Sequence, residues 1–382
     1  MKLSKRVLEL EASVTLAMKA KSKALADQGI SVISLSAGEP DFETPSCIVQ
    51  AAHKALDAGV SRYTAVRGND DLISAMRHKF KRDQNLDYDA TQVISSCGAK
   101  SSLSMAFDAV LSPGDEAIIL TPYWVSYPDM VKLTGAKPVF AQPSIESIEQ
   151  ALSEKTRVII VNSPNNPSGQ VLPKSFFQDL MKKLEGTDVW VISDEIYEHL
   201  VFDDARHISP ASLSKDAYSR TIVINGVSKG YAMTGWRVGI TAGPKEVIGA
   251  MTKLQGQRYT CIPTIAQKAA AYALSEPPEL QTEIEKMRSA YQERRDKFLE
   301  EISKIPNVKC SKPQGAFYAF PDFSAYGDDI ALAEKLLGEA HVSMVPGSAF
   351  GAPGHLRISL AASEEDIVAG VQKIGAYLSP RT

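Results

Sequence analysis

Residues Ile224–Gly239 read INGVSKGYAMTGWRVG. The stretch starts inside a β-branched apolar run, TIVIN (221–225), and leads into another, VGITAG (238–243). Between the runs stand Lys229 and, eight positions later, Arg237, set among glycine, serine and alanine. Short runs rich in Val and Ile read as buried strands. The small residues leave the Lys229 ammonium open to close approach. A lysine at the end of a buried strand is a candidate ligand-binding group, because in open α/β sheets ligands sit beyond the carboxyl ends of the strands.

Working outward, the same pattern repeats in QVISS (92–96), EAIIL (116–120), RVIIVN (157–162) and VWVIS (189–193). Amphipathic helical patterns lie between these runs, including KSSLSMAFDAVL (100–111) and PKSFFQDLMKKLE (173–185). This alternation predicts an α/β fold with a largely parallel sheet between helices. The last part of the chain changes character. A long amphipathic helix over roughly 277–305 leads to GAFYAF, a helix near 329–338, VSMVPGSAF, LRISLA and a closing helix. It reads as a smaller α/β lobe, completed by the N-terminal segment.

The chain has 382 residues, 44% of them hydrophobic and 23% charged, with a formal net charge of -3. That is apolar material for a large core and too much chain for one compact unit. The near-neutral balance gives no reason to expect nucleic acid or an anionic membrane surface as partner. Cys47, Cys97, Cys261 and Cys310 lie far apart and form no C-x-x-C pair, as expected of reduced thiols. The charged N-terminus has no apolar run or cleavage signal, and no segment is apolar enough to span a bilayer, so a cytoplasmic location is expected.

The residues just past each apolar run are CGAKSS, TPYW, NSPNNPSG, DEIYEH and GVSKGYAMTGWR. Lys229 alone would pass for a solvated loop lysine. As a nucleophile it needs a depressed pKa or a carbonyl cofactor with which to form a Schiff base. Arg237 offers a planar fork suited to phosphate. Gly98, Ala99, Lys100, Ser101 and Ser102 follow one strand and open a helix, presenting free N–H groups and hydroxyls to an anion. Lysine, arginine and helix start together suit an aldehyde that carries a phosphate. Asp194 would ordinarily cap a following helix. Beyond a buried strand it would also keep a pyridine nitrogen protonated, and Tyr197, one helical turn on, would face the same ligand.

These blocks, with LTPYWVSYPDM (120–130) and SLSAGEPDFETP (34–45), closely resemble the class I aminotransferases of the pyridoxal-phosphate family, and within them the bacterial branch of aspartate aminotransferases. The resemblance runs from about Ser4 to Leu378 with the motifs in the family's order. It implies a fold type I transferase with a mostly parallel seven-stranded sheet in a large domain (45–285), a small C-terminal domain (286–382) and an N-terminal arm that joins the small domain (1–44). It implies pyridoxal 5'-phosphate bound to Lys229, with Asp194 on the ring nitrogen, Tyr197 and Asn166 on the ring oxygen, and Trp124 over the ring. Arg237 and Gly98 to Ser102 would hold the phosphate. Tyr63 would reach the phosphate of a neighbouring subunit, which implies a homodimer with shared sites. Arg357 would grip the substrate α-carboxylate, and Gly38 would pass close to the substrate. Nothing in this set calls for a metal.

Lys100 matches a lysine associated with reading a second carboxylate, and Thr15 a position near the substrate entrance. Some relatives also aminate prephenate and carry a Lys-Pro pair where Glu11 and Ala12 stand here, so aspartate with 2-oxoglutarate is expected. A transaminase for prephenate, alanine or aromatic amino acids, or a β-elimination lyase, would need much the same cofactor residues. A non-catalytic regulator on this fold would carry a DNA-binding extension, and a nicotinamide dehydrogenase a G-x-G-x-x-G after a strand; neither pattern occurs. The region 141–156 is short for the family and has no functional reading. Arg258 and Tyr259, in GQRYTCIP (256–263), are further candidates for the partner subunit's site.

Overall fold

The computed structural model describes residues 3–8, 10 and 14–379. Its strands are β1 (Ile33–Ser34), β2 (Val93–Cys97), β3 (Glu116–Leu120), β4 (Lys137–Ala141), β5 (Thr156–Asn162), β6 (Trp190–Asp194), β7 (Thr221–Gly226), β8 (Val238–Ala242), β9 (Tyr318–Ala319), β10 (Val342–Ser343), β11 (Val345–Pro346) and β12 (Leu356–Ser359). Seven of them form one sheet in the order β2-β8-β7-β6-β5-β3-β4. From β7 to β4 all neighbours are parallel, whereas β8 runs antiparallel to both β2 and β7.

Side-chain alternation fills both faces of this sheet. Ile160, Ile192, Ile222 and Ile224 pack with Leu103 and Phe107 of the helix Gly98–Val110 and with Ile248 and Met251 of the helix Lys245–Arg258. Ile159, Val161 and Val191 turn the other way, onto Phe177 and Leu180 of the helix Lys174–Leu184. The six runs picked out by sequence are therefore strands buried on both faces. The seventh strand that the resemblance implies is β4, which no apolar run marks. Its sequence, KPVFA, includes Pro138, which a central strand would exclude, but β4 is an edge strand where a missing N–H is tolerated.

A second layer combines the antiparallel sheet β11-β12-β9 with the parallel pair β1-β10. The helices Pro278–Ile302 and Glu364–Leu378 cover it through Tyr291, Phe298, Ile302, Ile367 and Val371. The same core takes in Ile196, Tyr197 and Leu200, which follow β6, so this layer rests against the strand ends of the large sheet. No helix among the described residues is long and apolar enough to cross a membrane.

The antiparallel pairing of β8 with β2 sets Val238 opposite Cys97, so Arg237 meets the start of the helix Gly98–Val110. The approach is close: a Cβ on Gly239 would lie 2.5 Å from the Gly98 carbonyl carbon and 2.6 Å from the Ala99 nitrogen. Both are backbone atoms that cannot swing aside. Gly239→Ala is expected to destabilise the protein by roughly 1–3 kcal/mol, read from chemical unfolding. An unchanged unfolding midpoint would mean that the strand and helix are not pressed together there.

Candidate active site

The carboxyl ends of β2, β3, β5, β6 and β7 and the start of β8 surround a cavity of about 520 Å³, closed on the far side by residues 34–39, Tyr318 and Arg357. Its wall includes Gly38, Ala99, Lys100, Trp124, Asn166, Asp194, Tyr197, Lys229, Arg237 and Arg357. Ten residues singled out in the sequence thus converge on one space, although they span more than three hundred positions of chain.

Lys229 leaves β7 through Val227 and Ser228, and its Nζ donates to the Gly38 carbonyl at 2.5 Å. Burial pushes its ammonium down to about 8; Glu39 opposes that shift, and Arg357 and Arg237 add to it. A neutral amine is therefore accessible near physiological pH without any catalyst upstream of it. Asp194 is the last residue of β6 and is almost fully buried. Burial pushes its carboxyl up to about 6, although it accepts hydrogen bonds from Tyr127 Oη at 2.6 Å and from the Ile196 N–H at 3.3 Å, which act the other way. The segment after it forms no helix. Glu195 to His199 is a turn, closed by bonds from the Glu198 N–H to the Glu195 carbonyl and from the Leu200 N–H to the Tyr197 carbonyl. Tyr197 still reaches the cavity, and its hydroxyl pairs with that of Tyr318 at 3.0 Å.

At the β2 end, Gly98 takes a positive φ of 76° and opens a helix whose N-cap, Cys97, makes no side-chain cap. The first-turn N–H groups lack intrahelical acceptors, and no acidic residue occupies that turn. The Arg237 guanidinium lies directly against Gly98, leaving no room for a Cβ there, and Arg237 Nη2 bonds the Cys97 carbonyl at 3.4 Å. Cation and helix start together make an anion cradle. Ser101 points elsewhere: its hydroxyl pairs with Tyr259 Oη at 2.9 Å, which also accepts from the Cys97 N–H and donates to Gln255. Tyr259 braces the cradle within its own chain, and Arg258 pairs with Asp108. Lys100 Nζ lies 4.9 Å from the centre of the Trp124 ring, its ammonium pushed down by burial and by Arg237.

Arg357 comes from β12, buried between the Tyr318 and Phe350 rings at 4.5 and 5.1 Å. One Nη donates to Asn166 Oδ1 at 3.1 Å and the other to the Ser36 carbonyl at 2.9 Å, while Nε, also buried, has no partner among the described residues. A buried guanidinium with an unsatisfied donor is suited to a carboxylate guest. An added Cβ on Gly38 would meet only Tyr318 Oη, at 3.5 Å, so its smallness serves the open space rather than packing. Tyr63 is 87% exposed and stands away from this cavity. Thr15 falls in the helix Val14–Ala26, but its side chain, like Glu11 and Ala12, lies outside the described residues.

Sequence reasoning missed Tyr127, Tyr318 and Glu39. Tyr127 sits three positions after Trp124 in LTPYWVSYPDM (120–130), and the two rings meet edge to face at 5.4 Å. Its contact with Asp194 joins residues 67 positions apart, which no local pattern reveals.

The raised Asp194 pKa carries a cost with a definite sign. In the unfolded chain the group ionises near 3.8, and in the fold near 6. Folding therefore retains a proton between these values, so stability falls as pH rises through that window and stays lowered above it. The full penalty is about 3 kcal/mol. Asp194→Asn should stabilise the cofactor-free protein at pH 8 by up to this amount and do little below pH 4, as read from unfolding midpoints at the two pH values. An equal effect at both would place the origin elsewhere than in the buried charge.

A model of the family described as aminotransferase class I and II matches residues 30–374. The chain is 42% identical to an aspartate aminotransferase of Geobacillus stearothermophilus over the full length of both. It is 41% identical to a probable aspartate/prephenate aminotransferase of Aquifex aeolicus, covering 97% of each chain. Among solved structures, the aspartate aminotransferase of Thermus thermophilus with maleate superposes with a TM-score of 0.95 at 40% identity, covering 99% of this chain and 100% of that one.

Proposed function

The chain belongs to the class I and II aminotransferases, and from that premise we propose that it is a pyridoxal 5'-phosphate enzyme carrying the amino group of L-aspartate to 2-oxoglutarate in ping-pong fashion. The observation that carries this reading is the single cavity in which Lys229, Asp194 and Arg357 meet an anion cradle at Arg237 and Gly98. The residues present fit the cofactor: an uncapped helix start with an arginine for its phosphate, a buried carboxylate for its ring nitrogen, and a lysine of lowered pKa for its aldehyde. When bound, the cofactor supplies an electron sink that lowers the barrier to proton loss at the substrate Cα.

The protein's own groups do the rest. Arg237, with the amides of Ala99, Lys100 and Ser101, would hold the phosphate. Asp194, kept in place by Tyr127, would retain a proton on the ring nitrogen. Tyr197 and Asn166 would bond the ring oxygen, and Trp124 would cover the ring. Arg357 offers the substrate carboxylate its unpartnered Nε together with a second N–H, fixing which Cα–H bond is presented. Lys229 Nζ would take the proton from the substrate Cα and deliver it to the carbon derived from the cofactor's aldehyde, with a pKa near enough to neutrality to do both.

Lys100 is the group we assign to a second carboxylate, since it projects into the cavity beside Trp124. The names of the relatives agree on aspartate and divide on prephenate, and the Thermus enzyme is seen with maleate, a dicarboxylate. Tyr63, exposed in the single chain, supports a homodimer in which it completes the partner's phosphate site. We place the enzyme in the cytoplasm.

Lys229→Ala should lower turnover at least ~10³-fold while leaving a folded dimer by size-exclusion chromatography. Substantial residual transamination would remove Lys229 from the reaction. Lys100→Ser should lower kcat/KM for aspartate roughly 10- to 100-fold and leave alanine nearly unchanged. Equal losses on both donors would end the case for dicarboxylate recognition.

A further inference from the structure

The turn that supplies Asp194 and Tyr197 to the cavity sends its other two acidic side chains the opposite way. Glu195 and Glu198 are buried, at 0% and 7% exposure. They enter a polar assembly built on the helix Asp70–Gln84. Lys79, at 1% exposure, pairs with Glu198 and lies 3.5 Å from Asp83. The Gln84 amide donates to both carboxylates at 2.6 Å. Glu195 also accepts from Ser193 and Ser209 and pairs with His207 Nε2 at 3.0 Å.

Two buried carboxylates next to an active-site aspartate are costly unless neutralised. The cation that faces Glu198 is Lys79, and His207 Nε2 lies against Glu195. Burial opposes the charge on His207, but Glu195 and Glu198 outweigh it and raise the imidazole pKa. Burial also opposes the charge on Glu198, yet Lys79, His199 and His207 hold it down to about 2. Oxygen and nitrogen atoms of Glu195, Glu198 and His207 lie within 4.8 Å of one another, as metal ligands would, but the Lys79 ammonium already occupies the place of a cation. The outer edge of the assembly is His199 and Glu276, 3.5 Å apart, with Tyr231 bonded to both.

We propose that Lys79 and His207 are positioning residues for the transamination: through Glu198 and Glu195 they clamp the Asp194–Tyr197 turn from behind and set the electrostatic potential at Asp194. The geometry argues for this directly. Residues 194 and 197 face the cavity, 195 and 198 face the clamp, and a single peptide bond joins each cavity residue to its clamp neighbour. Any rotation of the turn that relieved Glu198 would also move the Tyr197 hydroxyl off Tyr318 and the Asp194 carboxylate off Tyr127. The charge reaches across as well. Burial is the main reason the Asp194 pKa is raised, and Glu195 adds to it. If Lys79 did not balance the pair, that negative field would be stronger.

This inference rests on the cofactor reading above, and the two separate cleanly in one experiment. Wild-type protein, Lys79→Met and Lys79→Met/Glu198→Gln are loaded with pyridoxal 5'-phosphate, and the absorbance of each holoenzyme is titrated against pH. Loss of the cation in Lys79→Met should raise the spectral midpoint by about half a pH unit. Its kcat should fall about 10-fold with KM for aspartate altered less than about two-fold, as expected when Asp194 and Tyr197 are misaligned rather than lost. Removing both charges in the double variant should bring the midpoint back towards wild type. A wild-type protein that takes up no cofactor overturns the cofactor reading. A wild type that does, beside a Lys79→Met enzyme with unchanged midpoint and kcat and only a lower Tm, overturns the clamp. Where Lys79→Met does not fold, Glu198→Gln supplies the test with the opposite sign: its midpoint must fall, and an unchanged midpoint overturns the clamp.

Discussion

The reversal of β8 is the constraint on which the rest of the site depends. In a sheet whose other six strands all deliver their carboxyl ends to one edge, a single antiparallel strand presents its amino end there instead. That places Arg237, which precedes β8, among groups that follow β2, β6 and β7. Gly239 is the steric condition for it, since a Cβ there would meet the Gly98–Ala99 backbone, while Gly98 supplies a positive φ of 76° at the helix start. A guanidinium and a helix start are pressed together in this way without a loop long enough to wander.

Arrangement of the site follows from what the sheet buries. Asp194 and Lys229 sit at the ends of neighbouring parallel strands, β6 and β7, and are driven towards their neutral forms, one upward and one downward. In water neither shift would occur. The fold bears the cost because its core is large: both faces of the central strands are fully covered, so a penalty of a few kcal/mol at one carboxyl is small beside the apolar area removed from water. Local instability is concentrated where chemistry needs an amine and an acid within reach of neutrality.

Much of this was legible in the sequence because strand ends are marked locally. A run of Val and Ile followed by a polar or glycine-rich segment announces both an element and its exit, and Lys229, Asp194, Asn166 and Lys100 all stand at such exits. What the sequence hid has physical reasons. The edge strand β4 carries Pro138 and half-exposed residues, so it lacks the signature of a buried strand. The acidic cluster at Glu195 and Glu198 reads locally as the first turn of a helix, yet Glu198 is drawn inward by Lys79 and both carboxylates by Gln84, each more than a hundred positions earlier. Tyr318 opens the short strand β9 directly after Phe317, and both are fully buried, so apolar content cannot tell the packing ring from the one that bonds Tyr197.

The charges around the cavity decide what kind of molecule it receives. Lys100, Lys229, Arg237 and Arg357 line it against Glu39 and Asp194 alone, so cations outnumber carboxylates four to two among the described residues. Repulsion among them is visible in both lysines, each of which has Arg237 among the causes of its lowered pKa. An anion in the cradle beside Arg237 would relieve that repulsion, and a second anion at Arg357 would relieve what remains. Each guest therefore raises the proton affinity of Lys229. A cavity tuned in this way discriminates by total negative charge before it discriminates by shape: a neutral or cationic molecule of the right outline would leave four like charges facing one another in a partly dry space.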